Sequence, residues 1–336
     1  MEYFIFFTLT VIMTFAANKK KILLNYSGSD HQKFLGSRNI PLIGGFFLLF
    51  CVLKIFYDKN IYYNLAFLFI FFVGFTSDTR LLSSPKIRFF LQLFLISIFI
   101  IYFDIHVTPT RIEFVDNFFQ NDAYSLIFSI FCFMILINGT NFIDGLNGLS
   151  LGYFLIVFLN LEMNGLILDL EFLDVDINFL LFSLIIILVL NYFNFLYLGD
   201  AGSYLLAFFS GFSIVSIYNS INTVSPYYII LLFWYPCFEI LFSLMRKFLQ
   251  KKSPLKPDNN HLHQLIFLYF KTKINNKNKI IPNVFSSVVI NLFNFILIFL
   301  ASKNPNLTIL QLKLIMIGVT IYCLTYVLLY KKKINF

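Results

Sequence analysis

The chain has 336 residues, of which 59% are hydrophobic and only 12% are charged, and its mean hydropathy is +0.81. A soluble domain has about 45–50% apolar and about 25% charged residues, so this composition excludes a soluble globular protein and an intrinsically disordered one. The four cysteines lie singly inside apolar runs, which excludes a disulfide scaffold. The composition therefore predicts a membrane protein.

Apolar runs near the length of a transmembrane helix, about 20 residues, recur from end to end of the chain. We predict eleven helices, or ten if one of the two runs that are short or contain glycine (61–77 and 146–163) does not cross. The runs lie at 2–17, 40–57, 61–77, 87–105, 123–140, 146–163, 177–195, 201–219, 226–245, 281–301 and 312–330. The fold class is therefore all-α, with a single transmembrane domain over residues 1–336.

The charges between these runs predict the orientation. An N-terminus outside places 20 of the 25 Lys and Arg in cytoplasmic loops, as the positive-inside rule requires, and leaves eleven of the 17 acids outside. We therefore predict a cytoplasmic C-terminus and cytoplasmic loops at about 18–39, 76–88, 138–148, 192–203 and 246–280. The net charge of +8 then reflects topology and anionic headgroups rather than nucleic acid.

Six acids fall on the predicted cytoplasmic side, and four of them stand at or near the end of a different helix. An ionisable group beside hydrocarbon is costly and is by default a functional hypothesis. We expect these helix ends to form one site. The six acids are Asp30, Asp78, Asp144, Asp200, Glu239 and Asp258.

The first polar loop places Asp78 at the end of one helix, and Lys86 and Arg88 at the start of the next. An acid and two cations suit a divalent ion and anionic phosphates, as phosphoryl transfer requires. The structural alternative is a helix that begins after Ser83 or Ser84, with proline in its first turn and ordinary basic flanks. This loop alone favours neither interpretation.

The second polar segment, 138–149, contains Asn141, Asp144 and Asn147 at three-residue steps between glycines. Glycine lets the backbone approach a ligand, and these side chains supply hydrogen bonds to a sugar, a base or metal-bound water.

In the third segment, 191–203, a helix that starts near residue 201 would direct free N–H groups at a phosphate. Asp200 is either the N-cap of that helix or a metal ligand, and we favour the ligand.

The fourth segment is the basic loop that contains His261 and His263, with Asp258 nearby. No third His or Cys stands close in the sequence, so phosphate hydrogen bonding is favoured over a zinc site. Glu239, near the end of the ninth run, is one of the six inner acids, and its structural alternative is an ion pair with Arg246.

Five motifs in this order resemble the polyprenyl-phosphate N-acetylhexosamine-1-phosphate transferases, which form glycosyl transferase family 4 and include the phospho-MurNAc-pentapeptide translocase. The resemblance covers about residues 30–270. The eleven-helix layout is more similar to the branch that initiates O-antigen and teichoic-acid linkage synthesis. The motifs are IPLIGG at 40–45, Asp78 with SPK at 84–86, NFIDGLNGL at 141–149, LGDAGS at 198–203 and PDNNHLH at 257–263.

The resemblance implies transfer of N-acetylhexosamine 1-phosphate, foremost GlcNAc 1-phosphate, from a UDP-sugar to undecaprenyl phosphate, with release of UMP. It implies Mg²⁺, or Mn²⁺ in its place, as cofactor. The implied partners are a polyprenyl phosphate lipid and a UDP-N-acetylhexosamine, with homodimerisation left open. The implied location is the bacterial inner membrane, with the active site facing the cytoplasm, at the first step of lipopolysaccharide or cell-wall polymer synthesis.

The resemblance also assigns roles to residues. The catalytic residues would be Asp78, Asp144 and Asp200, and the metal ligands would be Asp200 and Asp78. The family's adjacent aspartate pair is incomplete here, because either Ser77 or Thr79 stands beside Asp78. Direct attack by the lipid phosphate and a two-step route both remain open, and we favour direct attack. The substrate-binding residues would be Lys86, Arg88, Asn141, Asn147, Asn191, His261 and His263.

A transporter or flippase is the alternative, since many helices, inner cations and broken helices are also typical of that class. The acids, however, gather at one membrane face instead of the midplane, and the sequence shows no internal repeat. A structural scaffold leaves the acids in the loops without an explanation. The sequence therefore favours the transferase.

Overall fold

The computed structural model describes residues 1–25, 40–107, 109–166, 176–221, 223–253, 258–274 and 279–334. These residues form helices joined by loops, with one isolated β-bridge between Leu24 and Pro41, so the all-α prediction is confirmed for them. The helices are α1 (Glu2–Lys20), α2 (Gly44–Ile55), α3 (Ile61–Asp78), α4 (Pro85–Phe103), α5 (Glu113–Phe118), α6 (Asp122–Ile143), α7 (Leu149–Met163), α8 (Ile177–Tyr192), α9 (Gly199–Ser220), α10 (Pro226–Leu232), α11 (Trp234–Leu249), α12 (Leu262–Ile274), α13 (Ile280–Ser302) and α14 (Thr308–Ile334).

Six of these helices, α3, α4, α6, α9, α13 and α14, are each long and apolar enough to cross a membrane. Helices α10 and α11, which are bent by 75° where they meet, would count as a seventh span if the two cross the membrane together. The multi-pass membrane prediction is therefore confirmed. The count of eleven is not confirmed, because α2, α7 and α8 have only 12, 15 and 16 residues and α1 is not among the helices that pass this test. The bend and helices α5 and α12 were not among the elements predicted from the sequence.

Proline explains the bend between α10 and α11. Pro236 has no backbone N–H, so it cannot donate to the carbonyl of Leu232 four residues earlier. The freed carbonyl instead accepts a hydrogen bond of 2.9 Å from the hydroxyl of Tyr153 on α7. A backbone group that would otherwise be unpaired in an apolar interior is thereby satisfied by a side chain from another helix.

Helix α9 lies at the centre of the bundle, with 94% of its most apolar stretch buried. It packs most extensively against α3, and also against α2 and α6. Small residues bring the backbones together, since Gly45 faces Gly202 and Gly74 faces Ala201. Edge-to-face aromatic contacts, among them Phe67 with Phe208, fill the space beyond these close approaches.

The helix starts differ between the two ends of the bundle. At one end, local side chains cap four helices, as Asn60 does for α3, Asn121 for α6, Asp176 for α8 and Ser225 for α10. At the other end, α2, α7 and α9 begin without a side-chain cap from their own N-cap residue. At the start of each of these helices, at least one N–H group donates to a distant part of the chain: Gly44 to Tyr197, Gly148 to Asn191 and Asp200 to Asp78.

The second, locally uncapped end gathers the polar loops that the sequence analysis assigned to one side of the membrane. Asn18, in the last turn of α1, donates to the carbonyl of Phe195 in the loop before α9. The N–H of Gly44 at the start of α2 donates to the carbonyl of Tyr197 in the same loop. Residues 26–39, 254–257 and 275–278, with Asp30 and Pro257, lie outside the described residues.

We predict that Gly74→Ala destabilises the protein. A Cβ at residue 74 would lie 2.4 Å from the Cα of Ala201, so α3 and α9 would have to separate. Overpacking of this kind costs about 1–3 kcal/mol, and we expect a lower midpoint of thermal unfolding for the purified protein. Gly318→Ala is the control, because its Cβ would meet only side chains, at 3.2–3.3 Å. Equal midpoints for the two variants would contradict the prediction.

Candidate active site

Asp78, the last residue of α3, caps the start of α9. Its Oδ1 accepts a hydrogen bond of 2.8 Å from the N–H of Asp200, and its Oδ2 accepts one of 3.0 Å from the N–H of Ala201. A carboxylate here pairs with N–H groups that lack partners within the helix and complements the positive end of the helix dipole. The alternative in which Asp200 caps α9 is therefore wrong. The N–H groups of residues 200 and 201, expected to be free for a phosphate, are occupied.

Because Asp78 takes the capping position, the side chain of Asp200 faces the surrounding helices. Its Oδ1 accepts from the side-chain amide of Asn141 on α6 at 2.8 Å. Its Oδ2 forms an ion pair of 2.9 Å with Nη1 of Arg88 on α4, and also accepts from the hydroxyl of Ser77 on α3. Residues from α3, α4, α6 and α9 thus meet at one carboxylate.

The structure decides which neighbour of Asp78 faces the site. The hydroxyl of Ser77 lies between Asp200 and Arg88, and it accepts a hydrogen bond from Nη1 of Arg88. The hydroxyl of Thr79 instead donates to the carbonyl of Phe75 in its own helix, at 2.9 Å. Ser77 is therefore the residue at the position where a second carboxylate would face Arg88.

Asp144 lies directly after α6 and accepts a hydrogen bond from the hydroxyl of Ser150 on α7. Burial, together with the negative charge of Asp200, raises the pKa of Asp144 to about 7, although the Ser150 hydrogen bond opposes the shift. A carboxyl group with this pKa can accept or donate a proton near neutral pH.

Asn147 and Asn191 are buried and hydrogen-bonded within the protein. The amide of Asn147 donates to the carbonyl of Asn191 at 2.9 Å and to Oδ1 of Asn194 at 2.7 Å. Its backbone N–H donates to Oδ1 of Asn283 on α13 at 2.8 Å, and Oδ1 of Asn191 accepts from the N–H of Gly148 at 2.6 Å. These bonds join the loop after α6 to α8 and α13. Substrate binding by either residue stays a prediction.

His263 packs against the same loop. Its ring is fully buried, and neither ring nitrogen has a hydrogen-bond partner among the described residues. A Cβ on residue 145 would lie 2.7 Å from Nε2, so only glycine at this position leaves room for the imidazole beside Asp144. Burial lowers the pKa of His263 to about 4, which makes the ring neutral at pH 7. A neutral ring can donate with one nitrogen and accept with the other.

His261 lies between two carboxylates. Its Nδ1 is 3.0 Å from Oε1 of Glu239, and its Nε2 is 3.5 Å from Oδ1 of Asp258. Its ring is nearly parallel to that of His263, with centroids 5.6 Å apart. Sequence reasoning did not include Glu239 in the site, although a single acid inside an apolar run was a usable signal.

Arg246 pairs with Asp258 through two hydrogen bonds, of 2.7 and 3.1 Å. The interpretation of Glu239 as the partner of Arg246 is therefore wrong. Burial acts to raise the pKa of Asp258, but the hydrogen bonds and charge of Arg246 outweigh it and hold this pKa below its ordinary value.

Lys86 is exposed at the start of α4. Among the described residues, no ion pair joins its ammonium group to the carboxylates of the site.

The carboxylates fit a metal that is held jointly with a substrate. No cluster of three His, Cys, Asp or Glu side chains in the described residues forms a preformed metal cage. Mg²⁺, however, is commonly bound by one or two carboxylates together with waters and substrate phosphates. Asp78, Asp144 and Asp200 act on one another electrostatically, and only Asp200 is paired with a guanidinium. This excess of negative charge suits a divalent cation.

The fold and site define a polytopic membrane protein with a carboxylate-lined polar centre at one end of its bundle. Residues 60–218 match the model of glycosyl transferase family 4, and the matched segment contains Asp78, Asp144 and Asp200. This match confirms the resemblance found in the sequence.

Two relatives are named for the same reaction. The chain is 29% identical over 292 residues to the undecaprenyl-phosphate alpha-N-acetylglucosaminyl 1-phosphate transferase of Thermotoga maritima. This alignment covers 87% of this chain and 87% of the relative. It is 24% identical over 200 residues to the probable undecaprenyl-phosphate N-acetylglucosaminyl 1-phosphate transferase of Bacillus subtilis. That second alignment covers 57% of this chain and 54% of the relative.

We predict that Asp144 makes stability depend on pH. Its folded-state pKa of about 7 exceeds the ordinary value of 3.8, so the folded protein binds more protons than the unfolded chain between these values. Stability should therefore fall as the pH rises from about 4 to about 7. Asp144→Asn should remove this fall. The midpoint of unfolding of the variant should therefore rise relative to that of wild type as the pH increases to about 7, and the difference between the two midpoints should stay constant above that pH. Midpoints measured from pH 4 to 9 check this, and parallel curves would contradict it.

Proposed function

We propose that this protein transfers N-acetylglucosamine 1-phosphate from UDP-N-acetylglucosamine to undecaprenyl phosphate and releases UMP. The convergence of Asp200, Arg88 and Asn141 with Asp78 at one end of an apolar bundle carries the proposal. An apolar surface suits the prenyl chain, and the polar end suits two phosphorylated reactants. The names of both relatives support the substrates. Neither comparison favours a transporter.

In the reaction, an oxygen of the lipid phosphate bonds to the β-phosphorus of the UDP-sugar. The bond from this phosphorus to the bridging oxygen breaks, and that oxygen leaves with UMP. Both reactants are anions, so the site must offset their repulsion. Arg88 suits this role, because Nη1 is bound to Asp200 while its buried Nε has no hydrogen-bond partner among the described residues. The exposed Lys86 would add a second cation for phosphate.

Asp144 is the carboxyl group best suited to exchange a proton with the attacking phosphate, since its pKa lies near 7. Asp78 is held by two N–H groups of α9, so we assign it the positioning of Asp200. Direct attack requires no covalent intermediate, and the proposal therefore uses none. His261 and His263 would contact the nucleotide diphosphate.

Mg²⁺, or Mn²⁺ in its place, would be held by Asp200 together with oxygens of the substrate diphosphate. Asp78 would be the second of the two predicted metal ligands. When bound, it would neutralise charge on the diphosphate. Each ionised carboxylate oxygen has two acceptor positions, so Asp200 could bind a metal while keeping its bond to Asn141.

The proposal places the protein in the bacterial inner membrane as a single multi-pass domain, with the active site facing the cytoplasm. The excess of Lys and Arg in loops at the site end supports this orientation, with the N-terminus outside and the C-terminus inside. The shorter helices would complete eleven crossings. Helix α2, for example, begins at the site end with Gly44 and ends near Lys54, which pairs with Glu2 of α1. The product would initiate a surface polysaccharide.

The test is transfer of labelled sugar phosphate from UDP-N-acetylglucosamine to undecaprenyl phosphate by the purified protein, with and without Mg²⁺. We expect a metal-dependent lipid product and UMP from wild type, and at least a roughly 100-fold lower rate from Asp200→Asn. Asp122→Asn is the matched control, because Asp122 is exposed at the start of α6, at the opposite end of the bundle.

Two outcomes separate the parts of the proposal. Product from another UDP-N-acetylhexosamine, but not from UDP-N-acetylglucosamine, would change the sugar and keep the reaction. Folded wild-type protein that gives no lipid product with any of these donors would refute the transferase proposal.

A further inference from the structure

Glu239 connects the candidate site to the last helix of the chain. Its side chain is 1% exposed, and each carboxylate oxygen has a partner. Oε1 is 3.0 Å from Nδ1 of His261, and Oε2 accepts a hydrogen bond of 2.9 Å from the hydroxyl of Tyr322 on α14. A buried carboxylate is costly unless its oxygens are hydrogen-bonded, so Tyr322 contributes to holding Glu239 against His261.

Helix α14 contacts the same loop a second time. Nζ of Lys333 donates to the carbonyl of Asn259 at 2.9 Å and to Oδ1 of Asn260 at 2.7 Å. We call residues 258–263 the histidine loop. One helix thus fixes this loop directly through Lys333, and indirectly through Tyr322 and Glu239.

The histidine loop in turn contacts the end of α6. The ring of His261 packs edge-on against Phe142, with centroids 5.2 Å apart, and Phe142 stands two residues before Asp144. His263 lies against Gly145 on the other side of Asp144. The placement of both imidazoles against the end of α6 and the loop that follows it therefore depends on how the histidine loop is held.

We propose that Tyr322 and Lys333 are positioning residues through which α14 clamps the histidine loop and sets His261 and His263 for the nucleotide diphosphate. The inference rests on the proposed function and extends it to a helix outside residues 60–218, the segment that matches the family. Tyr322 acts through Glu239 and touches no reacting atom.

The first test compares Tyr322→Phe with Tyr326→Phe. Both changes remove one hydroxyl from α14, one turn apart, but the Tyr326 hydroxyl is buried and has no hydrogen-bond partner within the described ranges. Losing the bond to the charged Glu239 should weaken nucleotide binding about tenfold. We expect a KM for the UDP-sugar about tenfold higher in Tyr322→Phe, with a smaller change in kcat, and wild-type values in Tyr326→Phe.

The second test measures how firmly the histidine loop is held and does not depend on catalysis. Hydrogen exchange of backbone amides in the histidine loop should be faster in Tyr322→Phe than in Tyr326→Phe, because the N–H of Leu262 faces Oε1 of Glu239 at 3.4 Å. Lys333→Met should also speed this exchange. Lys332→Met is its control, since the Lys332 ammonium lies over the ring of Tyr269 on α12.

The two readouts distinguish failure of the proposed function from failure of the clamp. An inactive wild type would refute the transferase, while the exchange comparison would still support or overturn the clamp. Tyr322→Phe and Lys333→Met that match their controls in both exchange and KM would overturn the inference. A lower unfolding midpoint with unchanged KM and unchanged loop exchange would also overturn it, because the residues would then be merely structural.

Discussion

The hydrogen bonds from the start of α9 to Asp78 are the interaction on which the site depends. Free N–H groups at the start of a buried helix are costly in an apolar bundle, and a carboxylate from α3 satisfies two of them. The close approach of Gly74 to Ala201 brings that carboxylate within reach. With the cap supplied by Asp78, the side chain of Asp200 is left to gather Asn141 and Arg88.

The same requirement for paired polar groups shapes the rest of the bundle. The carbonyl freed by Pro236 is paired by Tyr153, and buried asparagines join the loops around Asn147. At the site end, however, Nε of Arg88 and both ring nitrogens of His263 are buried and find no hydrogen-bond partner in the part of the chain that the structure describes. Such atoms are costly in an apolar interior, and a phosphorylated ligand can satisfy them.

The site also draws on parts of the chain that are far apart in sequence. Asp78, Asp144 and Asp200 lie within the segment that matches the family, whereas Glu239, the histidine loop and α14 follow it. Glu239 and His261 link these parts, because His261 packs against Phe142 at the end of α6. Substrate positioning would therefore involve the last helix as well as the family's motifs.

The sequence by itself determined the membrane class, the place of most helices and the gathering of acids at one end, because hydrophobic runs, local caps and loop charges are encoded by near neighbours. The tertiary structure decided which carboxylate caps α9, that Ser77 rather than Thr79 faces Arg88, and that Glu239 pairs with His261. It also revealed the bend before Pro236. The Asp78–Asp200 contact joins residues 122 apart, so it depends on how helices pack rather than on any local pattern.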